Sequence, residues 1–381
     1  MKAKKNKKIL IFGGSGFLGK TIINMLLKLE FEVLVFTRKK VLKKKSFKYS
    51  SKKNIKIISW DPNNVKSIED EFLGAETTIN LCGILYENKR NDFYKVHSDL
   101  PSTLAELCAK FNVKNFLHVS ALGVSETSKS RYSSSKASGE RRLLEIFPKA
   151  KIVRPSLIFG DGDNFFGQFS QMASISPVLP LISRSTKFQP VSVEDVAMGI
   201  INLINSKGKI NSIYEFGGKS IYTFEDLLKM LLDVKKIRRI LLPLNSKLMK
   251  IPALFLQQLP KPPFTVDQMI LLENDNILKN NLPGLGDLGI EPKGLEEELI
   301  KIYFGLGKIN FTDDILEELG ISEDMRIEKP GKIEDYEKRD AIVAKALKVV
   351  KERKKEEVAA FRKMAQEMRD NNKDLNIDIV D

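Results

Sequence analysis

A short apolar run, Ile9-Leu10-Ile11-Phe12, ends in glycines spaced Gly13-x-x-Gly16-x-x-Gly19, and Thr21 to Leu29 follows with helical apolar spacing. The run is too brief for a helix, so the order predicts strand, tight turn, helix. A glycine turn opening a helix aims free backbone N–H groups, and the positive end of the helix dipole, at a bound anion. Any Cβ at such a turn would hold phosphates off. Gly13, Ser15, Gly16, Phe17, Leu18 and Gly19 are therefore candidate ligands of a dinucleotide pyrophosphate. The competing interpretation is a glycine-rich turn that only packs a helix on a sheet.

The stretch Glu32-Val33-Leu34-Val35-Phe36-Thr37-Arg38 reads as a second parallel strand, apolar because both of its faces would be covered. Its end selects the cofactor. An acidic residue there holds the ribose 2′-hydroxyl of NAD, whereas an arginine accommodates the 2′-phosphate of NADP. Arg38 stands at that position with Lys39 and Lys40 behind it, which favours NADPH over NAD; the alternative is that Arg38 merely begins a solvated lysine-rich loop. Ile55 to Ser59 reads as a third strand leading to Asp61, whose carboxylate can accept from an adenine amino group. A fourth, from Thr77, ends in Leu81-Cys82-Gly83, where the small Gly83 lets the backbone approach a cofactor. Asn115 to Ser120 makes a fifth, and Leu100 to Phe111 is one of the helices between strands. This alternation predicts an α/β fold, a doubly wound parallel (Rossmann) sheet with its ligand at the carboxyl ends of the strands.

Tyr132 and Lys136 follow the fifth strand at a spacing that shares one helix face. An ammonium beside a phenol lowers its pKa and can hold a nicotinamide ribose, so Tyr132 is a candidate general acid/base, with Ser120 orienting the substrate oxygen. The spacing alone is weak, because Tyr49 and Lys53 repeat it inside the lysine-rich loop. Further on, Asp195 reads as a carboxylate capping or supporting a helix. Tyr214 to Gly218 and the Thr223/Asp226 cap read as parts of a smaller lobe. The boundaries expected are a dinucleotide-binding core over 1–150, a substrate-side lobe interleaved with it over 151–310, and a charged, largely helical extension over 311–381. In that extension Ile342, Ala346, Val349, Val350, Val358, Phe361, Ala365 and Met368 form an intermittent apolar stripe at helical spacing, which either docks on a partner or lies along the parent domain.

Composition narrows the function. Two cysteines, Cys82 and Cys108, and two histidines, His97 and His118, argue against a disulfide scaffold or a Cys/His metal site and for a reducing compartment. No unbroken apolar run reaches the 18 or so residues that spanning a bilayer needs, so membrane contact is expected to be peripheral at most. The net charge of +14 is uneven, residues 311–381 being net acidic, and the basic stretches lack aromatic interleaving, so nucleic-acid binding is not expected.

Across residues 7 to 305 the chain resembles an extended or atypical short-chain dehydrogenase/reductase of the NAD-dependent epimerase/dehydratase superfamily, on Gly13 to Gly19, Asn80-Leu81-Cys82-Gly83, Tyr132/Lys136 and Arg154-Pro155-Ser156. More narrowly it is similar to the atypical branch that serves as an accessory subunit of respiratory complex I. That similarity lies in Gly83 to Glu87, His118 to Gly123, Ser176 to Ile182, Phe188 to Val191 and Leu259 to Gln268, the last outside the shared cofactor machinery. The resemblance implies a bound NADPH contacted also by Leu81, Cys82, Gly83, Ser120, Tyr132, Lys136 and Pro155. It further implies peripheral-arm complex I subunits as partners, a cytoplasmic position on the inner face of a bacterial inner membrane, and a structural role in place of turnover. His97 stands where many extended members carry asparagine, and Ala121 occupies the slot of their serine, with Ser120 one residue ahead. The alternative is a free NADPH-dependent reductase or epimerase using Tyr132 and Lys136.

Overall fold

The computed structural model describes residues 7–38, 47, 54–88, 92–205, 212–235, 237–244, 253, 257, 262, 264–279 and 281–304. The chain divides into two units, Met1–Ile302 and Tyr303–Asp381, and the fold that follows is that of the first. The stripe expected between Ile342 and Met368 lies outside the described residues, as does Leu259 to Lys261.

The opening apolar run forms β1 (Lys8–Phe12), the glycines turn, and α1 (Phe17–Lys28) follows. Then come β2 (Glu32–Thr37), β3 (Ile55–Ser59), β4 (Thr77–Asn80), α2 (Leu100–Lys110), β5 (Asn115–Val119), α3 (Arg131–Ile146) and β6 (Lys151–Pro155). These strands and β11 (Ile213–Phe216) build one parallel sheet in the order β11-β6-β5-β4-β1-β2-β3. Tyr214 to Phe216, expected in the smaller lobe, instead belongs to the sheet's edge strand, in register with Val153–Pro155. Apolar residues occupy successive positions of the central strands because helices cover both faces. Ile9, Ile11, Val33, Val35 and Ile79 pack on the side of α1 and α5 (Val193–Asn205). Leu10, Phe12, Leu34 and Phe36 pack on the other, with Leu104 and Cys108 of α2. Alternate side chains of one strand thus serve two cores.

Smaller elements surround the carboxyl edge. β7 (Ile158–Phe159) pairs with β10 (Val191–Ser192), β8 (Val178–Ile182) with β13 (Ile240–Leu244), and β9 (Lys187–Phe188) antiparallel with β12 (Tyr222–Thr223). Beside them lie α4 (Phe165–Ile175), α6 (Phe224–Val234), α7 (Val266–Leu271) and α8 (Leu295–Phe304). Thr223 and Asp226 form the expected reciprocal cap of α6. Asp195 lies buried in the first turn of α5, where a carboxylate supports the helix start, and it also accepts from the Lys293 backbone N–H at 2.8 Å, which ties the segment before α8 to the core.

Candidate functional site

The strand order reverses between β1 and β4, which opens a crevice at their carboxyl ends. A cavity of about 930 Å³ lies there. The glycine turn forms its floor. Gly13 has φ +83°, and a Cβ on it would meet the Leu81 carbonyl carbon at 2.9 Å; at Gly19 a Cβ would meet Gly14 Cα at 2.6 Å. Both glycines are thus required by the protein's own packing, as the simpler interpretation of the motif holds. Gly16 differs: it lines the cavity, and an added Cβ would meet only the Gly13 carbonyl oxygen, at 3.3 Å. Gly16 is also the N-cap of α1, with no side-chain cap and no acidic residue in the first turn. Phosphate oxygens are suited to the N–H groups of such a terminus.

The end of the cavity at β2 and β3 is apolar. The Phe12 and Phe36 rings stack at 4.4 Å and Trp60 packs edge-on against Phe12 at 5.0 Å, leaving Phe36 and Trp60 on the cavity wall beside Leu100. Thr37 and Arg38 close that end of β2, and Asp61 lies across from them, its carboxylate accepting from Asn63 N at 2.9 Å.

Tyr132 and Lys136 share the inner face of α3. The Lys136 ammonium lies 5.6 Å from the Tyr132 ring centroid and donates to the Val119 carbonyl at 3.4 Å. Burial lowers its pKa to about 8 despite the opposing charges of Glu140 and Cys82. Burial raises the Tyr132 phenol, and the nearby Asp267 carboxylate pushes it the same way. His97 is fixed in one tautomer: Nε2 accepts from the Ile84 N–H at 3.0 Å, so Nδ1 carries the hydrogen and faces Ser135 Oγ at 3.0 Å. That hydroxyl in turn donates to the Tyr132 carbonyl. Burial, and then the Lys136 charge, lowers the His97 pKa to about 2, and the same causes take His118 to about 3. Burial also pushes the Cys82 thiol up to about 12 against the pull of Arg38 and Lys136. Ser120 Oγ is buried and has no hydrogen-bond partner among the described residues.

Residues 9–217, which contain every residue lining the cavity, match the NAD dependent epimerase/dehydratase family. The chain belongs to that family. Among relatives, it is 31% identical over 296 residues to the protein named NADH dehydrogenase [ubiquinone] 1 alpha subcomplex subunit 9, mitochondrial, of Mus musculus, covering 77% of this chain and 78% of the mouse protein. The protein of that name from Dictyostelium discoideum is 29% identical, with 77% and 83% covered. A nucleoside-diphosphate-sugar epimerase from Staphylococcus aureus has a similar fold, with a TM-score of 0.62 at 14% identity, over 77% of this chain and 99% of the other.

Of the residues expected to hold a cofactor in this epimerase/dehydratase fold, Gly13, Ser15, Gly16, Arg38, Asp61, Leu81, Cys82 and Gly83 line the cavity. Phe17, Leu18, Gly19, Ser120, Tyr132, Lys136 and Pro155 do not. Phe17 packs beneath Gly160, Leu18 and Gly19 are buried in α1, and the Pro155 carbonyl accepts from Leu122 N–H. Lys136 nonetheless reaches the cavity's edge, since a Cβ on Gly83 would lie 3.7 Å from its ammonium. Sequence reasoning missed a further set of lining residues, Asp92, Lys95, Val96, Asp99 and Thr103, on and beside a turn of π-helix (Lys95–Asp99) running into α2. A π-turn widens a helix at functional sites, and no sequence pattern marks it.

Proposed function

We propose that this protein is an accessory subunit of respiratory complex I that holds NADPH as a structural ligand. The observation that carries the proposal is the extent of the likeness to the complex I proteins: 296 aligned residues, more than the family region 9–217 contains. The cavity suits the ligand. The Gly16 terminus receives the pyrophosphate, Phe36 and Trp60 flank the adenine, Asp61 meets its amino group and Arg38 the 2′-phosphate, which favours NADPH over NAD. Tyr132 and Lys136 hold the nicotinamide ribose. When bound, the nicotinamide supplies a hydride, but the surrounding groups favour retention over turnover. The phenol is held protonated, His97 is neutral and locked, and Ser120 stands one residue ahead of the family's serine.

The unpartnered Ser120 hydroxyl, next to the Val119 carbonyl that takes Lys136, favours a second reading, a free reductase using Tyr132 and Lys136. Among the described residues no helix is long and apolar enough to cross a membrane. The proposed attachment is therefore peripheral, through the peripheral arm of the complex, which in a bacterium faces the cytoplasm on the inner side of the inner membrane. Blue-native separation of gently solubilised membranes, probed for this chain, should place it with the complex I subunits. Recovery in the soluble fraction alone would overturn the proposal.

A further inference from the structure

In the dinucleotide reading the glycine turn holds the ligand, and the π-turn and α2 line the same cavity. Lys95 is the cation of that wall. Two carboxylates flank it one turn away on either side, and α3 occupies both. Asp92 pairs with Arg131 at 3.5 Å and Asp99 with Arg142 at 2.6 Å. Lys95 itself makes no ion pair among the described residues, so no carboxylate neutralises its ammonium at the cavity that it lines together with Gly13, Ser15 and Gly16.

Its place along the wall indicates which phosphate it meets. Leu100, five residues on, packs in the cluster that includes Phe36 and Trp60, at the adenosine end. His97, two residues on, contacts Ile84 and Ser135 and stacks edge-on with Tyr132, at the nicotinamide end. Lys95 thus lies farther from Leu100 along this wall than His97 does, away from the adenosine end that Arg38 closes and in the cavity it shares with the glycine turn. We infer that Lys95 is a pyrophosphate-binding residue, closing over the diphosphate that the glycine turn holds. This rests on the reading of the cavity as a dinucleotide site and goes beyond it, because the two halves of the clamp come from segments about eighty residues apart. A charge-assisted contact to phosphate at a partly exposed site contributes of the order of a tenfold change in affinity.

The experiment is a calorimetric titration of the full chain, stripped of nucleotide, with NADPH and separately with NADH. It compares the parent, Lys95→Met, Lys95→Arg and Arg38→Met. Lys95 is exposed, and an unchanged thermal midpoint of nucleotide-free Lys95→Met confirms that the fold is intact. The clamp predicts that Lys95→Met weakens both nucleotides by a similar factor, about tenfold, because both carry the diphosphate, and that Lys95→Arg restores them. Arg38→Met should weaken NADPH selectively. Unchanged affinities for Lys95→Met, beside a selective NADPH loss for Arg38→Met, would overturn the clamp and leave the NADPH reading standing. A Lys95→Met loss confined to NADPH would also overturn it, by assigning the lysine to the 2′-phosphate. Absence of saturable binding by the parent would overturn both readings.

Discussion

Lys136 is held where its charge costs stability. Folded, its pKa is about 8; unfolded, it returns to the ordinary 10.5. Below pH 8 both states carry the proton, and the folded state bears the full desolvation penalty of a buried ammonium, on the order of 3 kcal/mol. Between pH 8 and 10.5 the unfolded chain binds more protons than the folded one, so this group makes stability rise with pH there. Lys136→Met should therefore make the nucleotide-free chain more stable than the parent at pH 7, with an advantage that narrows towards pH 10, in paired thermal melts. The same variant should bind NADPH more weakly, and a variant destabilised at pH 7 would contradict the account. Such a costly charge is retained where a ligand uses it. The Tyr132/Lys136 spacing was legible in the sequence because a helix face has a fixed period. The pKa values were not, because they depend on burial and on residues as distant as Glu140, Cys82 and Asp267.

At the scale of elements, the informative contact is between α7 and the start of α3. α3 has no acidic residue in its first turn, and Ser130 caps it by accepting from Ser133 N–H. Asp267, in the first turn of α7, supplies the missing anion from some 135 residues further along the chain. It accepts from Ser130 Oγ at 2.8 Å, Arg131 N at 2.7 Å and Tyr132 N at 3.3 Å. The Thr265/Gln268 capping box fixes α7 while its carboxylate fixes α3. Asn276 continues the tie, donating to the Leu122 carbonyl and accepting from Ser156. A carboxylate on a helix N-terminus contributes roughly 1–2 kcal/mol. Asp267→Asn, which keeps the shape and loses the charge, should lower the urea midpoint accordingly without changing the slope. An unchanged midpoint would show that α7 does not brace the Tyr132 helix. The segment Leu259 to Gln268 stood out in the sequence for its resemblance, yet its role depends on a contact across some 135 residues, which no local pattern encodes. The sheet, by contrast, was legible strand by strand, because β1, β2 and β5 are buried on both faces and bounded by turns. Two of its strands fell outside the core expected over 1–150: β6 (Lys151–Pro155), just past that boundary, and β11 (Ile213–Phe216), a four-residue edge strand whose partner β6 lies some sixty residues earlier.

Across the whole molecule, three layers meet at one cavity: the glycine turn and α1, the aromatic end of β2 and β3, and the π-turn that leads into α2. A dinucleotide bound there bridges all three and stabilises the fold as RT ln(1 + [L]/Kd), about 4 kcal/mol at a thousandfold excess over Kd. That coupling suits a subunit whose nucleotide is a structural part. The most direct test is to purify the full chain from its native membranes, denature it, and identify the released nucleotide by mass spectrometry. The account predicts NADP(H) in near-equimolar amount. Release of no nucleotide, or of NAD(H) alone, would contradict it.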